Sequence, residues 1–157
     1  MKAIVTEIMR ETPEISSFRL APEADVKYVA GQWMYVRLTP ELKHHFTISA
    51  SPTEPYLQFT TKNRSESEYK KHLWSMKTGD GVEITGPFGS FVLDEADTGP
   101  KIFVAGGIGI TPFRSMIKYT SDKKLDLNIS LLYSVKNKSE GAFVDELMNV
   151  KYQMSNN

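Results

Sequence analysis

The sequence predicts a small closed antiparallel β-barrel with one helix, followed by an incomplete parallel α/β unit of Rossmann-like type. Three observations carry this expectation. Residues 1–93 break into six or more short segments of alternating or apolar character separated by turn residues, the pattern of a small barrel. Residues 94–100, DEADTGP, hold three acids, a glycine and a proline, a linker composition. Beyond them the periods run strand, helix, strand, helix, which calls for parallel pairing through a right-handed crossover. The expected domains are therefore 1–96 and 97–157.

Ala3–Arg10 and Ile15–Leu20 read as the first two strands, with Thr12-Pro13-Glu14 turning between them. A third strand begins after Gly31 and carries Val36 and Leu38. Phe46, Ile48 and Ala50 alternate with Thr47, Ser49 and Ser51, the period of a half-buried strand. Pro52-Thr53-Glu54-Pro55 turns the chain into Tyr56–Lys62. Over Ser65–Met76 the period changes: Tyr69, Leu73 and Met76 share a helical face, and Glu68 sits one turn before His72. Gly79-Asp80-Gly81 closes that helix and opens Val82–Thr85. Gly86-Pro87-Phe88-Gly89 then leads to an expected strand Ser90–Leu93. After the linker, Lys101–Ala105 and Leu127–Ser134 are strands, and Thr111–Ser121 and Glu140–Val150 helices. The polar tail Lys151–Asn157 is expected to fray.

Composition narrows the function classes. The 157 residues suffice for one domain or two small ones, and charges balance at 19 against 19. No basic footprint points to nucleic acid or an anionic membrane. No apolar run reaches the length of a membrane span, and MKAIVTEIMRE lacks a signal-peptide core, so a cytoplasmic protein is expected. With no cysteine, disulfides, thiolate zinc sites, iron–sulfur clusters and thiol chemistry are excluded. Redox work by this chain needs an organic cofactor.

Two stretches carry chemistry. In Lys101–Pro112, KIFVAGGIGITP, an apolar strand runs into Gly106, Gly107 and Gly109 and then into a helix start. Glycines there remove side chains that would keep phosphates off the backbone, and the helix N-terminus offers free N–H groups. Thr111 is expected to cap the helix, with Pro112 at its first position. The anion that fits is a dinucleotide pyrophosphate; an ordinary glycine-rich helix start that binds nothing is the alternative. In His44–Ser49, HHFTIS, Phe46 offers a stacking face and Thr47 a hydroxyl for a flat heterocycle, against the alternative of a buried barrel phenylalanine. His44 and His45 alternate in direction along a strand, so no shared metal is expected, and His72 reads as a helix-surface residue.

Taken in order, these pieces resemble the ferredoxin–NADP reductase superfamily, in which a flavin-binding Greek-key barrel precedes a nicotinamide-dinucleotide domain. His44-His45-Phe46-Thr47 is similar to the H-P-F-T flavin motif of the ferric reductase and NADPH oxidase branch, with His45 in place of proline. Ser67-Glu68-Tyr69-Lys70 resembles the S-x-[FY]-K segment at the helix start that holds the flavin pyrophosphate, and Gly79-Asp80 with Gly86–Gly89 resembles the barrel's closing signature. Ala105–Pro112, Leu131–Ser134 and Phe143-x-x-Glu146-Leu147 resemble the dinucleotide domain. The resemblance spans essentially the whole chain.

It implies an FAD-dependent oxidoreductase that passes hydride from NAD(P)H to flavin, at a near-attack separation of roughly 3–3.5 Å, and electrons to an unidentified small-molecule or protein acceptor. Phe46 would stack on the flavin, Thr47 would hydrogen-bond near its reactive nitrogen and tune it, and His44 would contact the ribityl-phosphate arm, flanked by Ile48 and Ser49. Thr61, Lys62, Arg64, Ser65, Ser67, Glu68, Tyr69 and Lys70 would complete the FAD site, a pyrophosphate there favouring FAD over FMN. Gly106, Gly107, Ile108, Gly109, Thr111 and Pro112 would hold the NAD(P)H phosphates, with Tyr133, Ser134 and Lys136 near the adenosine ribose. The absence of an acid at that strand end leans to NADP. Phe46 and Gly107 are expected to face a common gap. The family continues past residue 157, so the nicotinamide pocket is expected to be half built. The alternatives are an FAD-binding electron-transfer module without its own NAD(P)H turnover, and a barrel without cofactor. An unfinished parallel sheet is further expected to leave an apolar edge through which two copies associate.

Overall fold

The computed structural model describes residues 1–64 and 66–154, with side chains up to residue 150. Ser65 and residues 155–157, which include one expected FAD contact and the end of the tail, lie outside the described residues.

Six strands, β1 (Lys2–Arg10), β2 (Ile15–Pro22), β3 (Trp33–Arg37), β4 (Lys43–Thr47), β5 (Leu57–Lys62) and β6 (Gly81–Phe88), form one antiparallel sheet in the order β4-β3-β6-β1-β2-β5. The ring is closed where Ile48 bridges Phe59 and the Ser49 N–H donates to the Gln58 carbonyl at 2.7 Å. Because β6 returns beside β3, the run β3–β6 has Greek-key order, and closure removes the barrel's free edges. The alternating inward residues fill the interior: Val5, Phe18, Leu20, Met34, Val36, Phe59, Val82 and Ile84 are all buried. Helix α1 (Glu68–Ser75) adds Tyr69 and Leu73 to that core, and Ser67 caps its first turn by accepting from the Lys70 N–H.

Two barrel expectations change. β6 runs on through Gly86 and Pro87 to Phe88, because Phe88 pairs with Trp33 of β3. The strand expected at Ser90–Leu93 does not form. Gly89, at φ +100°, turns the chain away, leaving Phe91 and Val92 exposed while Leu93 enters a second core. Apolar residues in a row there mark packing points on an irregular crossing, not a pleat.

That second core lies under a two-stranded parallel sheet, β7 (Lys101–Gly106) and β8 (Ile129–Ser134), in register from Lys101 opposite Ile129 to Gly106 opposite Ser134. Helix α2 (Thr111–Lys123) and helix α3 (Val144–Met154) complete the unit. Phe113 and Met116 of α2, with Ala105, Leu127, Ala142 and Phe143, bury this core together with Ile15 and Ala30 of the barrel, so apolar packing is continuous across the junction. The opposite face of the sheet is uncovered: Ile102, Val104 and Leu132 are 68%, 69% and 60% exposed. The sheet is as unfinished as expected, and its apolar surplus is a whole face as well as an edge.

Helix starts also differ. Gly107–Ile110 forms a 3₁₀ turn, which makes Ile110 the N-cap of α2. Thr111 is inside the helix, with no capping bond and its hydroxyl donating to the Ile108 carbonyl at 3.3 Å. The last helix begins at Val144, not Glu140, because Phe143 adopts φ +63° and interrupts the helical backbone after a short turn at Lys138–Glu140.

Candidate flavin and dinucleotide sites

Strand β4 and the start of α1 make the first site. Phe46 is 7% exposed, its ring held between His44 (centroids 5.0 Å) and Phe59 (4.6 Å), with Tyr69 tilted at 5.7 Å. The open stacking face expected of Phe46 is therefore covered: on this strand its side faces the barrel core, and His44 is the exposed ring over it. His44 and His45 do not diverge but stack at 5.0 Å, and the His44 Nδ1 lies 2.8 Å from the His45 carbonyl. Thr47 is half-buried, and its hydroxyl has no partner among the described residues. Ile48 is core, and the Ser49 hydroxyl is spent on the Gln58 carbonyl (3.2 Å) and Thr60 (2.8 Å), so both serve the barrel. Tyr69 is likewise structural: its ring is buried and its hydroxyl donates to the Val36 carbonyl at 3.0 Å.

Lys70 is the electrostatic centre of this site. Only 6% exposed, it donates from Nζ to the Thr61 hydroxyl and lies 4.6 Å from the Phe46 ring centroid. Among the described residues no carboxylate pairs with it. Burial, and then the charge of Arg64, bring its pKa down to about 8. A buried ammonium beside a second cation and without a counter-ion is a poor arrangement alone and a good one for a phosphate. Lys70, Arg64, Thr61 and the Ser67-capped helix start thus fit the pyrophosphate of FAD. Glu68 is exposed in the first turn, and Lys62 pairs with Glu14 at 2.7 Å.

The glycine corner makes the second site. Gly107 takes φ +51°, and a Cβ built on Gly106, Gly107 or Gly109 would meet no atom within 4 Å, so the space over the turn is open to a ligand. Ile110 is fully buried and anchors the turn, while Ile108 and Pro112 are half-buried beside it. The start of α2 carries no side-chain cap, which leaves its first N–H groups to a bound anion. At the end of β8, Ser134 and Lys136 are exposed. Tyr133, expected beside them, points the other way. It lies on the inner side of the sheet with its hydroxyl buried, its ring edge 3.5 Å from where a Cβ on Gly141 would stand. Alternation along β8 sends 133 inward and 134 outward.

Between the two sites lies a cluster that the sequence did not reveal. Arg114 of α2 is 4% exposed and donates from Nη1 to the Ser49 carbonyl at 3.1 Å. It grips Glu54 through Nη1 and Nη2 (3.0 Å for the latter), and Glu146 of α3 through Nε (3.3 Å) and Nη2 (2.6 Å). Burial works against the charge on Arg114, but Glu54 and Glu146 outweigh it and hold the guanidinium pKa well above the ordinary value. Burial likewise opposes the charge on Glu54, and bonds from Arg114 and Tyr56 nevertheless hold its carboxyl below the usual range. Ser115 Oγ donates to the Ala50 carbonyl at 2.6 Å. Nothing in the local pattern of PFRSM or PTEP signals such burial; only the docking of α2 on the β4–β5 turn brings these residues together.

Residues 2–93 match the family model described as oxidoreductase FAD-binding domain, and residues 103–157 that described as oxidoreductase NAD-binding domain. Flavohemoprotein A of Dictyostelium discoideum is 32% identical over 166 residues, covering 92% of this chain and 41% of that protein. The reductase component of propane 2-monooxygenase from Rhodococcus jostii (strain RHA1) is 27% identical over 149 residues, covering 92% of this chain and 40% of that one. Ferredoxin-NADP+ reductase from Plasmodium falciparum shares the fold, with a TM-score of 0.87 at 20% identity over 99% of this chain and 66% of its own. The chain spans about 40% of the length of the curated relatives it matches. By barrel topology, glycine corner and family match together, the chain belongs to the oxidoreductase FAD-binding domain family of the ferredoxin–NADP reductase superfamily, its barrel followed by an oxidoreductase NAD-binding domain.

Proposed function

We propose that this chain takes hydride from NAD(P)H onto FAD and hands electrons to a small-molecule or protein acceptor. The observation that supports this best is the docking of the helix behind the glycine corner directly onto the strand end that follows Thr47, through Ser115 to Ala50 and Arg114 to Ser49. A bound flavin supplies the hydride-accepting chemistry; the chain supplies position and charge. Lys70 and Arg64 hold the pyrophosphate, with Thr61, Lys62, Ser67 and Glu68 around it. Thr47 offers its free hydroxyl to the flavin edge, and His44 covers the phosphate arm. Gly106, Gly107, Ile108, Gly109, Thr111 and Pro112 line the approach for the dinucleotide phosphates. Ser134 and Lys136 meet the adenosine ribose. Lys138 is paired with Asp145 at 2.7 Å, whereas Lys136 is in no salt bridge among the described residues, which leans to NADPH. The division into a flavin unit, 1–96, and a dinucleotide unit, 97–157, and a cytoplasmic setting belong to the same reading. Among the described residues, no helix is long and apolar enough to cross a membrane.

The uncovered face of the β7–β8 sheet favours a second reading, an FAD-binding electron-transfer module without independent NAD(P)H turnover. Absorption spectra of the FAD-loaded chain, recorded anaerobically before and after NADPH or NADH, separate the two. Bleaching supports the first reading; a yellow protein that neither nucleotide bleaches leaves the second, and a chain that takes up no FAD sinks both. Within the first reading, Gly109→Ala raises KM for NADPH roughly tenfold with FAD retention unchanged, because the new methyl enters open space over the turn and touches nothing in the fold. An unchanged KM means that the phosphates lie elsewhere.

We also propose that two copies associate through the face of Ile102, Val104 and Leu132, which together leave more apolar surface than scattered exposure explains. Sedimentation is expected to show a dimer that Val104→Lys converts to monomer. A wild-type chain that stays monomeric at high concentration removes this proposal.

A further inference from the structure

We propose that Arg114 is a positioning residue: by clamping Glu54 and Glu146 at once, it sets the separation and angle between the glycine corner and the flavin strand. The inference rests on the hydride-transfer reading above and adds to it which residue fixes the geometry of that step.

A guanidinium has five N–H donors. Here all five are taken: one by the Ser49 carbonyl, two by Glu54 and two by Glu146. The three acceptors come from two sides of Arg114, Ser49 and Glu54 from the β4–β5 connection of the barrel and Glu146 from helix α3. Glu54 is itself fixed by the Tyr56 hydroxyl at 2.6 Å and the Ser51 N–H at 2.7 Å. Exposed ion pairs contribute little, and buried ones are often no more stabilising than apolar residues of the same size. Adhesion alone is therefore a weak reason for burying one cation and one carboxylate at this junction, with a second carboxylate at its rim. Apolar packing through Met116, Phe113 and Ile15 already joins the two units. What a planar fork adds, and a leucine cannot, is direction: one bidentate pair to Glu54 and a bond to the Ser49 carbonyl orient α2 on the barrel, while the second pair, to Glu146 of α3, fixes the plane of the guanidinium from the other side.

The clamp sits where orientation matters. Ser49 is two residues past Thr47, about 7 Å along an extended strand. Arg114 is one helical turn past Thr111, which directly follows the turn Gly107–Ile110. A slip of about 1 Å between the two units reaches the reacting atoms almost undiminished, and such a slip costs on the order of 10²-fold in rate.

The test uses the full chain loaded with FAD. In Arg114→Gln, the rate of flavin reduction at saturating NADPH is expected to fall by roughly 30- to 100-fold. KM and FAD retention should change by less than about threefold, since a positioning group acts on the rate of the step more than on binding. Arg114→Lys should not restore the rate, because one ammonium cannot hold two carboxylates bidentately. Glu146→Gln, at a site whose side chain is 35% exposed, is the milder variant should Arg114→Gln fold poorly, and should show a smaller loss of the same kind. A second readout does not depend on turnover. The chain has no cysteine, so Lys71→Cys in α1 with Lys123→Cys in α2 accepts a clean pair of spin labels. Their distance distribution should be narrow when Arg114 is present and broad in the Arg114→Gln variant. Wild-type rate and an unbroadened distance in Arg114→Gln overturn the proposal, as does a loss of rate matched by equal loss of FAD and of fold. If the wild-type chain is not reduced by NADPH, the functional reading fails, and the distance distribution alone decides the clamp.

Discussion

Lys70→Met lowers FAD affinity by on the order of 10²-fold and removes its dependence on pH above 8. The magnitude follows from losing a charge-assisted bond of about 1.5–3 kcal/mol, made from a site already stripped of water. In the free chain the amine is buried beside Arg64, and both effects favour its neutral form, so it titrates at about 8 instead of near 10.5. Bound phosphate favours the ammonium and holds the proton. Below pH 8 the proton is already present and affinity is flat. Above 8 binding must take a proton from solution, and affinity falls by up to tenfold per pH unit.

Stability of the FAD-free chain runs the other way. Between pH 8 and 10.5 the unfolded chain keeps a proton on Lys70 that the folded chain has released. The unfolded state then binds more protons, and stability rises with pH across that window. FAD titrations followed by flavin fluorescence at pH 7, 8 and 9, on both proteins, check the first half. Urea midpoints across the same range check the second. If Lys70→Met keeps the wild-type slope, some other group holds the phosphate.

Gly31→Ala destabilises the chain by about 2–5 kcal/mol. Gly31 has φ +103°, a conformation that costs an L-residue roughly 1–2 kcal/mol. A methyl there would stand 2.2 Å from the Phe91 carbonyl oxygen and 2.4 Å from Met116 Cε. The methionine end can swing away, but the Phe91 backbone cannot move without shifting the crossing between the two units, which adds roughly 1–3 kcal/mol of overpacking. Gly81→Ala is the control, since its Cβ would meet nothing within 4 Å and its φ is ordinary. A fall in the urea midpoint at constant slope is the expected result for Gly31→Ala, with little change for Gly81→Ala. A loss below about 1 kcal/mol would mean that the junction yields easily, which would also weaken the case for a rigid clamp at Arg114.

The barrel was largely legible because its signals are local. In β3 and the first half of β6 alternating side chains meet a buried and a less buried face, and period two follows from the pleat wherever one side is covered. The glycine corner was legible for a different reason: three glycines between an apolar strand and a proline-marked helix leave few other conformations. The misreadings share a cause. Ser90–Leu93 has the composition of a strand but no partner to pair with. Phe46 and Tyr133 have the right chemistry for a ligand, but the strand's register turns both rings inward. Thr111 is a good capping residue one position too late, because the glycine turn tightens into 3₁₀ geometry before it.

Taken by itself, the sequence determined the strand and helix periods, the order of the two units, the need for an organic redox cofactor and the open glycine turn. Each depends on residues close together in the chain. The tertiary structure alone decided which face of each strand looks inward, that Lys70 is buried with no carboxylate paired to it among the described residues, and that Arg114 meets Glu54 and Glu146. Those facts depend on desolvation and on contacts between residues far apart in the chain, 65 positions for Arg114 and Ser49. Burial and charge pairing belong to the assembled molecule, and no local pattern of residue types encodes them.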